Sequence, residues 1–237
     1  MSTYDFVKKT GRDKYWELME KEKKMMLDSK TGKLKKSLER YVKSPVCEID
    51  DTTFAFEKDG FTYVHGFTYV RCNGCGMLYT NPQLDDDKIR AQYRSIPSQN
   101  YWVDVLQTPP QLKYDTKKFR GALEDISTFA DPGRLLDIGC SLGIFLDLAR
   151  KKGWEIHGVE LNERARRAAE EKFNIKPYDK PLELLDLEPE SFDVVTMWEV
   201  LEHLTEPRRI LNQINRLLKP GGMLVVLVPN CDSFAVR

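Results

Sequence analysis

Hydrophobic and polar positions alternate in three different rhythms along the chain. Residues 4–43 are densely charged, with apolar side chains at helical intervals: Trp16, Met19, Leu27, Leu34, Leu38 and Val42. Apolar positions three or four apart stripe one face of a helix, so this stretch predicts one or two amphipathic helices broken near "SKTG". Residues 52–80 are rich in Thr, Phe, Tyr and Val and contain Asp59-Gly60, a hairpin signal flanked by strand-like runs. Residues 84–130 return to a helical pattern, interrupted at Pro97 and at Pro109-Pro110. From Arg134 onward, strand and helix patterns alternate. "RLLDIG", "WEIHGVEL", "IKPY", "FDVVTMW" and "MLVVLVP" read as strands; "GIFLDLARKK", "ERARRAAEEKF" and "PRRILNQINRLLKP" read as helices. Helices between consecutive strands imply a parallel sheet covered on both faces. The expected fold is therefore α/β, a Rossmann-like doubly wound parallel sheet preceded by a helical and small β segment. The expected organisation is amino-terminal helices over 1–43, a small β segment over 44–83, a helical connection over 84–130 and the sheet domain over 131–237.

Composition narrows the class. The chain has 237 residues, 41% hydrophobic and 31% charged, with a formal net charge of +0. Such a balance suits a globular protein and gives no global field for nucleic acid or an acidic membrane. Residues 1–43 carry thirteen Lys/Arg against seven Asp/Glu, a local excess cancelled elsewhere. The start, "MSTYDFVKKTGRDKYW", has no signal-peptide core, and "MLVVLV" is far too short to cross a bilayer. Five scattered cysteines without a secretion signal suggest reduced thiols and a cytoplasmic setting.

The stretch "DIGCSLGIF" follows the first strand of the sheet domain. In a doubly wound sheet a ligand lies at the carboxyl ends of the strands, and glycines there let the backbone approach it before the next helix begins. Glu160 ends the following strand, where a carboxylate accepts both hydroxyls of a ribose. A dinucleotide fingerprint would read G-x-G-x-x-G; here Gly139 and Gly143 are separated by Cys140, Ser141 and Leu142. Asp137, two residues before Gly139, would repel a pyrophosphate and suits an ammonium. S-adenosylmethionine carries a ribose, an ammonium and a sulfonium and no phosphate, so the charges match it better than a nicotinamide dinucleotide.

With those residues in place, the chain from about Arg134 to Asn230 resembles class I S-adenosylmethionine-dependent methyltransferases. "LLDIGCSLGIFL" is similar to their first motif, with Ser141 in place of the usual middle glycine, and "GVELN" to their second. "SFDVVTMWEVLEHLTEPRRILNQINRLLKPGGMLVVLVPN" resembles the later motifs. The resemblance implies a cofactor site built from Asp137, Gly139, Cys140, Ser141, Gly143, Phe145, Glu160, Leu161, Asn162, Asp179, Trp198 and Glu199. Asp137, Gly139 and Gly143 would line the methionine end and Glu160 the ribose. Asn162 and the loop near Asp179 would flank the adenine, and Trp198 and Glu199 would close the pocket. Cys140 equally reads as a small packed residue, and core packing is nearly as good an account of Trp198.

A finer resemblance is to a subgroup with a small cysteine-bearing segment ahead of the catalytic domain, patterned C-P-x-C followed by C-x-x-C-G. "RCNGCGMLYTNP" supplies Cys72 and Cys75, while "SPVC" supplies Cys47 and places Ser44 where another cysteine would stand. A ribbon joins two such turns around a tetrahedral zinc. Three thiolates leave a position that His65, water or, weakly, Ser44 would fill. The alternative is a metal-free ribbon resting on Phe54, Phe56, Phe61, Tyr63, Phe67 and Tyr69, and the missing thiolate tilts the balance that way. Members of the subgroup often act on small molecules, including sugars and glycan precursors.

Methyl transfer to oxygen usually needs a base near its pKa. His157 lies within a strand pattern; His203 follows the fourth strand and is the candidate base, against the alternative that Glu202-His203 merely orders the loop. Glu199, Glu202 and His203 also resemble a metal site of quinone O-methyltransferases. The expected function is methyl transfer from S-adenosylmethionine to a small-molecule acceptor. The alternatives are an RNA-modifying methyltransferase gripping phosphates through the basic helices, and a non-catalytic cofactor-binding scaffold. The family's sheet usually continues beyond its fifth strand, so an open edge here would allow an oligomer.

Overall fold

The computed structural model describes residues 3–56, 67–85 and 96–230. Asp59, Gly60, Phe61, Tyr63 and His65, as well as Cys231, lie outside them. The chain divides into two compact units, Met1–Val105 and Leu106–Arg237.

In the first unit, helices α1 (Thr3–Thr10) and α2 (Arg12–Met26) meet at Gly11, whose φ of 73° lets the chain change direction. The helical pattern does not continue to Val42. Asp28 Oδ1 accepts the backbone N–H groups of Lys30 and Thr31, Gly32 turns at φ 68°, and Leu34 bridges back to Leu27. Leu38 instead ends a short 3-10 turn (Lys36–Leu38), and Leu34 and Val42 lie in non-helical chain before and after β1 (Glu39–Arg40). Three antiparallel strands follow, β2 (Thr52–Phe56), β3 (Tyr69–Cys72) and β4 (Leu78–Thr80), while β5 (Gln83–Leu84) pairs with β1. Pro97 opens α3 (Pro97–Leu106) instead of breaking a helix, as suits a residue with no N–H to lose. Glu22 of α2 caps that helix, accepting the Ser98 N–H at 2.8 Å and its hydroxyl. Several of the basic residues face acids of their own segment: Lys8 meets Asp13 at 2.6 Å, and buried Lys23 meets Glu20 at 2.8 Å.

The second unit begins with α4 (Pro109–Ile126), again opened by proline. Its sheet, among the described residues, has four parallel strands in the order β7-β6-β8-β9: β6 (Arg134–Ile138), β7 (Glu155–Val159), β8 (Phe192–Trp198) and β9 (Leu218–Leu227). Helices α5 (Ile144–Lys151), α6 (Glu163–Phe173) and α7 (Pro207–Leu217) connect them. Leu135 and Leu136 show why the strand is apolar at successive positions. Both are fully covered: Leu135 joins a cluster with Leu123, Phe145, Leu146 and Val194, Leu136 one with Val195, Met197, Ile210 and Ile214. Each face of the sheet has its own core, so neither side chain meets water. The "IKPY" strand is reduced to one parallel bridge, Tyr178 beside Val159. No helix among the described residues is long and apolar enough to cross a membrane.

Candidate functional site

The chain leaves β6 for β7 on one side and returns to β8 on the other, so the carboxyl ends of β6 and β8 flank a switch point, where open α/β sheets bind ligands. Three consecutive odd positions there, Gly139, Ser141 and Gly143, have φ of 75°, 50° and 75°. The turn is pinned beneath by the Val159 carbonyl, which accepts the N–H groups of Gly139 at 2.8 Å and Cys140 at 3.0 Å. A side chain at Gly139 would meet Val200 Cγ2 at 2.5 Å, so the position admits only glycine without movement. Gly143 then caps α5 in the left-handed region.

Two acids sit under this turn. Asp137 is 1% exposed and accepts the Thr196 hydroxyl at 2.7 Å. Burial pushes its carboxyl up to about 8; the charge of Glu160 adds to the rise and the Thr196 hydrogen bond opposes it. Burial also raises Glu160, opposed by the backbone N–H groups of Asn162 at 2.7 Å and Ser141 at 2.9 Å. Each carboxylate oxygen has two lone pairs, so these bonds leave Glu160 able to accept ribose hydroxyls. Both carboxyls therefore resist ionising, buried Asp137 and half-buried Glu160 beside it. Carboxyl groups under this turn suit a ligand with an ammonium better than one with a pyrophosphate.

The remaining expected residues divide into groups. Leu161 offers its backbone beside Glu160, and Arg166 donates to both carbonyls at 2.7 and 2.9 Å. Asn162 uses its side chain to cap α6, accepting the Ala165 N–H at 3.0 Å. Asp179 is exposed and follows Tyr178, whose carbonyl accepts the Glu160 N–H at 3.0 Å. Cys140 and Phe145 are buried in the core cluster, and burial holds the Cys140 thiol well above its usual range. Trp198 packs edge-on against Phe145 at 4.9 Å between centroids and near Phe119 at 5.6 Å. Its indole Nε1 is buried without a hydrogen-bond partner. Glu199 is exposed at φ 57°, and His203 is exposed on the single turn Leu201–His203. Thr196 was not among the expected residues; its signal was a hydroxyl inside the otherwise apolar run "FDVVTMW".

Among the described residues, the group of metal-ligating side chains that gathers is Cys47, Cys72 and Cys75, all within 4.8 Å of one another. Glu199, Glu202 and His203 do not assemble in this way. Cys72 is buried and Cys75 exposed, with the Ser44 hydrogen bond drawing the Cys75 thiol down to about 7.

A profile described as "Methyltransferase domain" matches residues 112–237. The chain belongs to this family. The methyltransferase domain is 32% identical over 95 residues to a protein of Coxiella burnetii named ubiquinone biosynthesis O-methyltransferase, covering 38% of this chain and 41% of that one. A protein of the same name from Paracidovorax citrulli is 35% identical over 109 residues, covering 43% and 46%. A crystal structure of an S-adenosylmethionine-dependent methyltransferase from Archaeoglobus fulgidus is 30% identical, covers 52% of this chain and 55% of that chain, and superposes with a TM-score of 0.45. The chain thus spans less than half the length of the curated relatives it matches. Residues 112–237 are thus a methyltransferase domain.

Proposed function

We propose that the protein transfers the methyl group of S-adenosylmethionine to a hydroxyl of a small molecule. The observation that carries this reading is the pair beneath the left-handed turn, buried Asp137 and half-buried Glu160, whose carboxyls are both raised despite the opposing charges of Lys118 and Arg166. The cofactor brings an activated methyl group, and the protein's share is to hold donor and acceptor in line. Oxygen as the acceptor atom is supported by the names of the relatives, which are O-methyltransferases. His203, exposed on the turn after β8, is the base that takes the hydroxyl proton. Calorimetry with S-adenosylhomocysteine tests the cofactor half. Binding is expected, whereas binding of NADH in its place would overturn the reading.

For the acceptor we infer a sugar or glycan precursor, on the strength of the cysteine-bearing segment ahead of the domain; the relatives' names point instead to a quinone precursor. A panel of hydroxylated sugars and catechols with radiolabelled cofactor separates the two. The same segment supports a zinc-ribbon reading of the first unit, since Cys47, Cys72 and Cys75 already converge. Elemental analysis of purified protein, expected to show near-stoichiometric zinc that is lost in Cys72→Ser, tests it.

A further inference from the structure

The two turns that carry the cysteines are built alike. In Ser44–Glu48 the Glu48 N–H donates to the Ser44 carbonyl at 3.0 Å; in Cys72–Gly76 the Gly76 N–H donates to the Cys72 carbonyl at 2.9 Å. The closing residue is left-handed in both, with φ of 63° at Glu48 and 75° at Gly76. Glycine takes that conformation freely and glutamate does not, so the first turn keeps the shape of the second at a local cost. Matching the turns residue by residue, Cys47 corresponds to Cys75 and Ser44 to Cys72.

The side chains cross over accordingly. Ser44 Oγ lies 3.3 Å from Cys75 Sγ, and Cys47 Sγ lies 3.5 Å from Cys72 Sγ. Ligands about 2.3 Å from a tetrahedral zinc stand roughly 3.8 Å apart; both contacts are that close, and the three sulfurs lie within 4.8 Å of one another. Ser44 is 1% exposed, and its hydroxyl oxygen accepts the N–H groups of Val46 at 3.3 Å and Cys47 at 3.4 Å, which aim it at the cysteines and away from water. The apolar surroundings are slight: Val70, Cys72 and Tyr79, with Val42 and Cys47 against them. Phe54, an expected core aromatic, is 59% exposed. Cys72 and Cys47 are thus part of this small cluster, and the buried Tyr79 hydroxyl within it has no partner. A segment with so small a core gains folding energy from a metal.

We propose that Ser44 is the fourth ligand of this site, which therefore holds a divalent zinc by three thiolates and one hydroxyl oxygen. The proposal rests on the zinc reading of the first unit and adds the identity of the fourth position. On loading, Cys47, Cys72 and Cys75 each release a proton and the Ser44 hydroxyl keeps its own, so the loaded site carries a single net negative charge. A neutral oxygen is the weakest of the four ligands, and the ion exchanges more readily than in a four-thiolate ribbon.

Cobalt replaces zinc in such sites and reports the number of thiolates by charge-transfer absorption. The full chain, stripped and reloaded with cobalt, is expected to show tetrahedral d–d bands with three-thiolate intensity. Ser44→Cys adds a thiolate, so charge-transfer intensity should rise by about one third. Transfer of zinc to a chelator should slow on the order of tenfold or more, a change at least as large as outer-shell edits produce. Ser44→Ala should keep three-thiolate intensity and release zinc faster than the unsubstituted protein. Failure of the unsubstituted protein to take up zinc or cobalt overturns both the zinc reading and the proposal. Metal bound with four-thiolate intensity, or chelator transfer unchanged in Ser44→Ala, overturns the Ser44 assignment alone. Should Ser44→Cys not fold, the unsubstituted spectrum and the Ser44→Ala transfer rate still decide.

Discussion

The Thr196 hydroxyl donates to Asp137 Oδ1 at 2.7 Å, across a register in which the two residues are direct neighbours on β8 and β6. Asp137 is the central acid of the cradle, and burial has moved it to about 8, with Glu160 adding to the rise and Lys118 opposing it together with Thr196. A carboxyl raised above its unfolded value stabilises the fold fully below the ordinary carboxylate range, and that contribution disappears as pH rises through about 8. The ligand-free protein should therefore lose thermal stability between about pH 4 and pH 8. A cationic ligand reverses the preference, because it needs the carboxylate. Affinity for S-adenosylhomocysteine should rise over the upper part of the same window, with proton release seen as a dependence of calorimetric heat on buffer. Asp137→Asn still accepts from Thr196, so it should raise the ligand-free melting temperature at pH 8 and abolish binding. A flat pH profile for both stability and affinity would contradict this assignment.

Ser141 occupies a left-handed position, φ 50°, between two glycines that are also left-handed. A side chain there costs roughly 1–2 kcal/mol, part of which glycine gives back as unfolded-state freedom. Ser141→Gly should therefore stabilise the domain by about 1 kcal/mol, a rise of about 3 °C in melting temperature. Cofactor affinity should stay within about twofold, since the turn contacts Glu160 through the Ser141 N–H, which glycine retains. Scanning calorimetry and titration on the same two proteins check both halves.

Much of this arrangement was legible in the residues because it depends on backbone chemistry. Successive apolar positions in "RLLDIG" announced a strand covered on both faces, and Leu135 and Leu136 do face separate cores. The acid-glycine spacing announced the turn. What escaped depends on long-range packing. Leu34, Leu38 and Val42 keep a helical spacing, but the Asp28 turn and Gly32 end the helical run before them. "IKPY" has strand composition, but only Tyr178 finds a partner at the sheet edge. Thr196 looked like one more β-branched strand residue until its register placed it opposite Asp137. The equivalence of the two cysteine turns was hidden because a serine and a glutamate stand where a cysteine and a glycine would have made it plain.

Asn162 has two candidate roles, flanking the adenine and capping α6. Its side chain accepts the Ala165 N–H at 3.0 Å, the bond expected of a helix-capping residue. Loss of such a cap typically costs about 0.5–2 kcal/mol. Asn162→Ala should lower stability by that amount, and Asn162→Asp, which caps equally well, should restore it. If capping is the whole role, the two variants bind S-adenosylhomocysteine alike at a temperature where both are folded. A loss of affinity in Asn162→Asp despite restored stability would instead assign the side chain to the adenine.

Glu160 is the residue proposed to accept the ribose hydroxyls. One carboxylate oxygen takes the Ser141 N–H and the other the Asn162 N–H, so the acid ties the loop after β6 to the loop after β7. Glu160→Ala removes the acceptor for the ribose hydroxyls, each such charge-assisted bond being worth about 1.5–3 kcal/mol, and also frees two loop N–H groups. Glu160→Gln keeps one acceptor oxygen and turns the other position into a donor, which clashes with one of the two N–H groups. Affinity for S-adenosylhomocysteine should therefore fall on the order of tenfold or more in both variants. The maximal rate at saturating cofactor should change much less, because the ribose lies away from the transferred methyl group and its bonds are equal in ground and transition states. A variant with unchanged cofactor affinity and a collapsed maximal rate would show that Glu160 acts at the methyl group, and would remove the ribose from this end of β7.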